Sequence, residues 1–293
     1  MRSTPKTIQI FLPSGEPHGI RIAEITTRIV QVIEVSRSLL ADFLAMEQSS
    51  QVGVYVLVGE ETGDDDRRVY VGQSGDLRTR LAQHHQKKDF WQRALVLISR
   101  TNSLTQTHAL FLEWHALQKL RQVDRYRDES GNSGSRPHTP APLEADCMEI
   151  FETGSTLFST LGFPLFDPVA TATEVGNPAD VFFCRSPGVG VDGKGIVSPE
   201  CFVVLAGSLG REAMTSSTTS AQKQWRQRLV DRGVMQPDGR GGLLFARDHL
   251  FQTPSGAAIA LLGRRANGWT EWKNAQGLTL HQLHREPPAQ QQG

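Results

Sequence analysis

Tyr55, Tyr70, Arg80, His84 and Glu113 fall within one stretch, residues 53–113 of the 293-residue chain. Two phenols, a guanidinium, an imidazole and a lone carboxylate are the parts of a metal-dependent site that cleaves phosphodiesters. Taken singly, each has a plainer reading. The tyrosines suit strand packing, Arg80 suits a solvated helix face, and His84 beside His85 suits a polar surface pair. Glu113 alone is as well explained by a structural ion pair as by a ligand. What gives the set weight is the order of these residues and the elements that carry them.

Those elements follow from the hydrophobic pattern. From Val52 to Val58 the chain alternates with period two, so Gly53, Tyr55 and Leu57 share one strand face and the valines share the other. Asp64, Asp65 and Asp66 mark a solvated turn, and Arg68 to Gly72 reads as a second strand. If the two strands pair antiparallel, Tyr55 and Tyr70 project from the same face. Ser74-Gly75-Asp76 supplies helix-capping chemistry, and the helix after it lines up Leu77, Leu81, His84 and Lys88 along one side. A third strand at 94–98 precedes a long helix, with Thr101-Asn102-Ser103 as its expected cap.

On that long helix, Ala109, Leu110, Ala116, Leu117 and Leu120 lie within roughly 60° of Glu113 at about 100° per residue. Gln106 and Asp124 fall in the same sector near the two ends, and Asp124 reads as a solvated acid. The projection turns Glu113 towards the core. An ionised carboxylate on a buried face needs a basic partner or a metal ion.

Gly53-Val54-Tyr55 and Tyr70-Val71-Gly72, followed by Leu77-x-x-Arg80-Leu81-x-x-His84 and Leu112-Glu113, resemble the GIY-YIG nuclease family. Valine at each central position changes only strand packing. The resemblance implies an endonuclease that hydrolyses phosphodiester bonds, most readily in DNA. It implies that Glu113 binds a divalent cation such as Mg2+, and that Arg80 offsets charge on the phosphate. It casts Tyr55 as general base or orienter of the attacking water, His84 as a partner in proton transfer and Tyr70 as a positioning group. A phenol with an ordinary pKa of about 10 serves as a base only if that value is lowered. The family's asparagine beyond the glutamate corresponds best to Asn132. Residues 181–281 are similar to an uncharacterised domain that often follows such modules, through Phe202-Val203-Val204-Leu205-x-Gly207-Ser208, Pro254-Ser255-x-Ala257-Ala258 and Asn267-Gly268-Trp269-x-x-Trp272-Lys273.

The rest of the chain frames this module. Two short apolar runs around Pro13-Ser14-Gly15 read as a hairpin, 29–35 as a strand and 36–46 as a helix, together an N-terminal strand-rich extension over 1–48. The nuclease-like domain spans 49–128. Residues 129–180 form a linker with one helix at 149–161, and the Gly/Ser/Pro-rich run 127–142 is loop. A C-terminal domain occupies 181–284, with a basic helix at 221–232, an alanine-rich helix at 254–262 and a last strand at Leu278. A disordered tail, 285–293, closes the chain. The expected class is mixed α/β (α+β): a small antiparallel sheet flanked by helices, then an α+β domain.

With 31 basic and 31 acidic side chains, the whole molecule carries no formal charge to steer it to nucleic acid. Local excess must do so. Residues 76–100 hold six Lys/Arg against two Asp, which makes Lys87, Lys88 and Arg93 candidates for phosphate contacts, and residues 223–247 hold the same ratio. Trp269 and Trp272 suit core packing better than base stacking, and Gly188-Val189-Gly190 with Gly193-Lys194-Gly195 lacks phosphate-loop spacing. Cys147, Cys184 and Cys201 have neither metal-ligand nor disulfide spacing and suit a reducing cytoplasm. No apolar run is long enough to span a membrane. Oligomeric state is not encoded in these patterns. A reading from another class is a nucleic-acid-binding or regulatory protein whose nuclease module is weak or silent.

Overall fold

The computed structural model describes residues 5–60, 67–123, 125–131, 135–167, 181–198 and 201–285. The acidic turn at 64–66, Asp124, Asn132 and all but the first residue of the expected 285–293 tail therefore lie outside the described residues. The chain divides into two compact units, broadly residues 1–168 and the remainder. Each contains a sheet and helices, a mixed α/β architecture rich in antiparallel pairing.

In the first unit the strands are β1 (Ile8–Phe11), β2 (Arg21–Ile25), β3 (Val30–Ser36), β4 (Gly53–Glu60), β5 (Arg67–Ser74), β6 (Arg93–Ser99) and β7 (Arg127–Asp128). They form one sheet in the order β1-β2-β3-β6-β4-β5-β7. The sheet is thus larger than the sequence suggests. The expected hairpin and third strand of the N-terminal segment do form, but β3 pairs along its whole length with β6. The segment read as an extension is almost half of the site-bearing sheet. Among the described residues only β7 pairs in parallel, with the start of β5.

The period-two alternation of β4 divides two cores. Val54, Val56 and Val58 enter a cluster with Leu112, Ala116 and Leu117 of α3 (Gln106–Val123) and Ile150, Leu157 and Phe158 of α4 (Ala141–Thr160). Tyr55 and Leu57 enter the opposite cluster, beside Phe43 of α1 (Leu40–Ala45), Leu77 and Leu81 of α2 (Leu77–Lys87), and Trp91. Burying each such aliphatic or aromatic side chain contributes about 1.5–3 kcal/mol. These contacts fix α2 on the sheet face that carries Tyr55.

Several boundaries differ from the pattern-based reading. The N-terminal helix is shorter, because residues 37–39 form a 3-10 turn before α1. The long helix begins at Gln106, not after Ser103. The hydroxyls of Ser99, Thr101 and Ser103 bond one another, and Thr105 bonds His108 Nδ1. α4 begins at Ala141, eight residues before the expected start, because Pro140 and Pro142 open a helix rather than sustain a linker.

The second unit comprises β8 (Val181–Ser186), β9 (Val191–Val197), β10 (Phe202–Val204), β11 (Leu209–Arg211), α5 (Ser220–Asp231), β12 (Met235–Pro237), β13 (Gly242–Phe245) and β14 (His249–Phe251). Three short helices follow: α6 (Pro254–Leu262), α7 (Gly268–Glu271) and α8 (Leu280–His284). Its sheet runs β12-β13-β11-β9-β10-β14, with β8 on β9. α6 is apolar nearly all round and is buried accordingly. Gly193-Lys194-Gly195 lies inside β9, not in a loop. The strand expected at Leu278 is absent: Thr279 closes a capping box with Gln282 and starts α8 instead.

Candidate functional site

The antiparallel register sets Tyr55 opposite Gly72 and Leu57 opposite Tyr70, so the two tyrosines share a face. Their ring centroids lie 6.3 Å apart, and His84 packs against both, at 5.5 Å from Tyr55 and 4.9 Å from Tyr70. Gly72 makes this possible. A Cβ there would sit 2.6 Å from Tyr55 Cζ, so the phenol lies over bare backbone.

α2 supplies the basic half of the cluster. Asp76 caps it by accepting from the Arg78 main-chain N–H at 3.1 Å. Leu77 and Leu81 bury one stripe, and His84, three residues past Leu81, is buried with them. Arg80 sits at the rim, with its side chain exposed. Its Nε donates to Tyr55 Oη at 3.2 Å, and Tyr70 lies near enough to influence its guanidinium electrostatically. Tyr55 Oη lies 2.7 Å from His84 Nε2.

The electrostatics orient this chain of bonds. Burial, aided by Arg80, Lys88 and Lys87, pushes His84 down to about 4, so the imidazole is neutral near pH 7. With Arg80 donating to one lone pair of Tyr55 Oη, the phenol proton has the neutral Nε2 as its acceptor. Burial also raises the Tyr55 pKa well above the ordinary phenol value, and the Arg80 bond offsets only part of that. Tyr55 is fully buried. The lowered phenol pKa that a general base would need is therefore not found. In this geometry the Tyr55 hydroxyl bridges Arg80 and His84.

Glu113 reaches the cluster from α3. The buried stripe of that helix runs through Ala109, Leu112, Ala116 and Leu120, whereas Leu110, expected in the stripe, is exposed. Glu113 consequently lies at the margin of the stripe and is half-buried. Beyond the two residues that pair with β7, the outer edge of β5 is covered by other groups. Ser130 Oγ accepts from Val71 N at 2.8 Å, and the Glu113 carboxylate accepts from Gln73 N. Gln106 Nε2 donates to Gln73 Oε1 at 2.6 Å, tying helix to strand about two helical turns before Glu113. Burial raises the Glu113 pKa, while the Gln73 N–H and the charge of Arg80 oppose it.

Among the described residues Glu113 has no ion pair. A partly desolvated carboxylate with one main-chain donor and spare lone pairs is short of positive charge. No group of three or more His, Cys, Asp or Glu that could hold a metal ion occurs among the described residues. A closed protein cage is thus not formed there. The donor set fits a hard divalent cation of the Mg2+ kind, which keeps most of its waters and takes one or two carboxylates.

The expected phosphate contacts fare unevenly. Lys88 places its ammonium 4.2 Å from the Tyr70 ring centroid, at the edge of the cluster. Lys87 is exposed on α2. Arg93 is otherwise engaged: it pairs with buried Glu34 at 3.5 Å and bonds Ser36 Oγ. Arg78 is tied to Ser49 and Arg100 to Glu24, so the basic run of 76–100 is largely internal bonding. Asn132 lies outside the described residues. The sequence pattern places Gln106 in the sector of Glu113 but carries no signal for its partner Gln73, which the strand register supplies.

Residues 182–284 match the family model described as Domain of unknown function (DUF4357). No curated protein and no solved structure matches the chain. The motifs of the matched region build the fold. Trp272 is fully buried, 4.5 Å from the Phe202 ring, with its Nε1 donating to Pro254 O at 3.0 Å. Asn267 caps α7, and Gly268 packs so closely on Pro254 that a side chain there would strike its main chain. Trp269 lies under the Arg285 guanidinium at 3.7 Å. Cys147 and Cys184 are buried thiols whose pKa values burial raises, to about 11 and about 12, and Cys201 is half-buried. No described helix is long and apolar enough to cross a membrane.

Proposed function

We propose that the first unit is a divalent-cation-dependent endonuclease of GIY-YIG type, hydrolysing phosphodiester bonds in DNA. The observation that carries this reading is the joining of Tyr55, Tyr70, Arg80 and His84 in one cluster, with unpaired Glu113 beside it. Structural ion pairing does not account for such a set.

Arg80 is the group open to substrate. Its Nε is held by Tyr55, which leaves the outer N–H groups to bind a non-bridging phosphate oxygen and offset charge as it develops. Glu113 would hold the cation, whose contribution when bound is to polarise the phosphate and steady the leaving oxygen. Tyr70, half-exposed and packed on Tyr55 and His84, is the phenol nearest solvent. Tyr55 and His84 act beneath them: His84 holds the Tyr55 hydroxyl, and that hydroxyl accepts from Arg80 Nε and orients the guanidinium.

The second reading, a binding or regulatory protein with a silent module, draws on the enclosure of Tyr55, whose hydroxyl is already occupied by two partners. Labelled duplex, branched and single-stranded DNA and RNA, incubated with Mg2+, separate the two. Cleavage by the wild type that disappears in Glu113→Ala supports the nuclease. Equal binding by both proteins with no cleavage of any substrate supports the silent module. Cleavage surviving in Glu113→Ala overturns the assignment of the site.

A further inference from the structure

The second unit contains a pocket of about 450 Å³, built along one face of α5. The helix divides its side chains cleanly: Trp225 and Leu229 enter the core, while Lys223, Gln227 and Val230 follow one another at helical spacing along the pocket wall. Between them lies Arg226, only 4% exposed yet part of the lining.

Arg226 is the unusual feature. Nε donates to Ala260 O at 2.7 Å, Nη1 to Glu212 O at 2.8 Å and Nη2 to Arg211 O. Three of the five N–H donors of a guanidinium are thereby used, all on neutral carbonyls. No carboxylate pairs with it among the described residues. Burial lowers its pKa to about 10, which still leaves it charged at neutral pH. A buried cation without a counter-charge beside a cavity is electrostatically suited to an anion. Lys223, one helical turn away and exposed, adds a second positive charge on the same wall.

The other side chains narrow the class of anion. Val230 and Leu243 give apolar lining, Gln227, whose Nε2 donates to Asp231 Oδ1 at 2.9 Å, keeps its amide oxygen as an acceptor, and the exposed Glu212 carboxylate can accept from hydroxyl or amino groups. A purely inorganic anion would leave the apolar wall unused, and the Glu212 carboxylate would disfavour a second phosphate. The volume lies within the usual range for small-ligand sites. We propose that this pocket binds a nucleoside phosphate, either free or as one residue of a single strand, with the phosphate at Arg226 and Lys223 and the base against Val230 and Leu243. The inference does not depend on the chemistry of the first unit.

Calorimetry on the full chain tests it with dAMP, adenosine, inorganic phosphate and a short single-stranded oligonucleotide. Saturable dAMP binding is expected, with adenosine and inorganic phosphate each weaker by about tenfold or more. Lys223→Glu, at an exposed position that does not threaten folding, should weaken dAMP by about tenfold. Val230→Phe should weaken it by narrowing the pocket, with circular dichroism melts verifying that both variants fold. Tighter binding of the oligonucleotide than of dAMP assigns the pocket to a strand, and the reverse assigns it to the free nucleotide. Absence of saturable binding by dAMP and oligonucleotide alike would overturn the proposal. So would dAMP affinity unchanged in both variants, or inorganic phosphate binding as tightly as dAMP.

Discussion

The two units use their most distinctive residues in opposite ways. In the first, Tyr55, Arg80 and His84 spend their polar atoms on each other, and Glu113 is left without an ion pair. In the second, Trp272 and Asn267 spend theirs on neighbouring backbone and the Gly268 N–H donates to Ser255 Oγ, so that α6, α7 and the sheet close on one another. Both sets stand out equally in the sequence. One set leaves a charge unbalanced, and the other is neutral with its polar groups satisfied. Chemistry is to be sought where polar groups remain in excess after the fold is satisfied.

Substitutions can break this contrast. Glu113→Ala should lower cleavage by about 10³-fold or more while leaving the thermal midpoint of the first unit nearly unchanged, as gel assays with Mg2+ beside calorimetric melts would reveal. If the midpoint collapses instead, the carboxylate is a structural brace for the edge of β5. Trp272→Ala is the mirror case. It should cost the second unit about 3–5 kcal/mol, read as an earlier denaturant transition, with the transition of the first unit unmoved.

Tyr55→Phe probes the boundary between the two behaviours. Loss of the hydroxyl leaves Arg80 and His84 without their shared partner, at about 1–3 kcal/mol. Turnover should fall by about 10- to 100-fold at saturating substrate, with KM little altered. A fall confined to KM would make the cluster a binding surface.

Acid exposes a further difference. His249, buried with Nε2 lacking a partner, has its pKa pushed down to about 3 by burial and by Arg232 and Arg247. Its neutral form is the one the folded state accepts, so the unfolded chain takes up the proton first as pH falls below about 6.5. Stability of the second unit should then decline by up to about 1.4 kcal/mol per pH unit, until about pH 3. Urea titrations between neutral and mildly acid pH should display this slope, and His249→Phe should flatten it. An unaltered slope in that variant would place the acid sensitivity elsewhere.

Much of the site was legible because it depends on short-range geometry. Alternation put Tyr55 and Tyr70 on one face, and the spacing of Leu77, Leu81 and His84 put the imidazole on the buried side of α2. What pattern could not supply was partnership over long separations. β3 meets β6 some sixty residues later, and Arg93 finds its carboxylate at Glu34 by that same pairing. The burial of Leu112 in place of Leu110 turned α3 slightly, enough to bring Glu113 to the rim. Pro140 and Pro142 were ambiguous signals, since proline both breaks helices and begins them.

The seating of the Tyr55 ring over Gly72 works as a mechanical key. It indexes one strand against the other at a single notch, so insertions between β4 and β5 need not disturb the spacing of the two tyrosines. A slip of one residue within either strand would turn one phenol to the far side of the sheet. Tolerance to length and intolerance to phase are therefore built into the same few atoms.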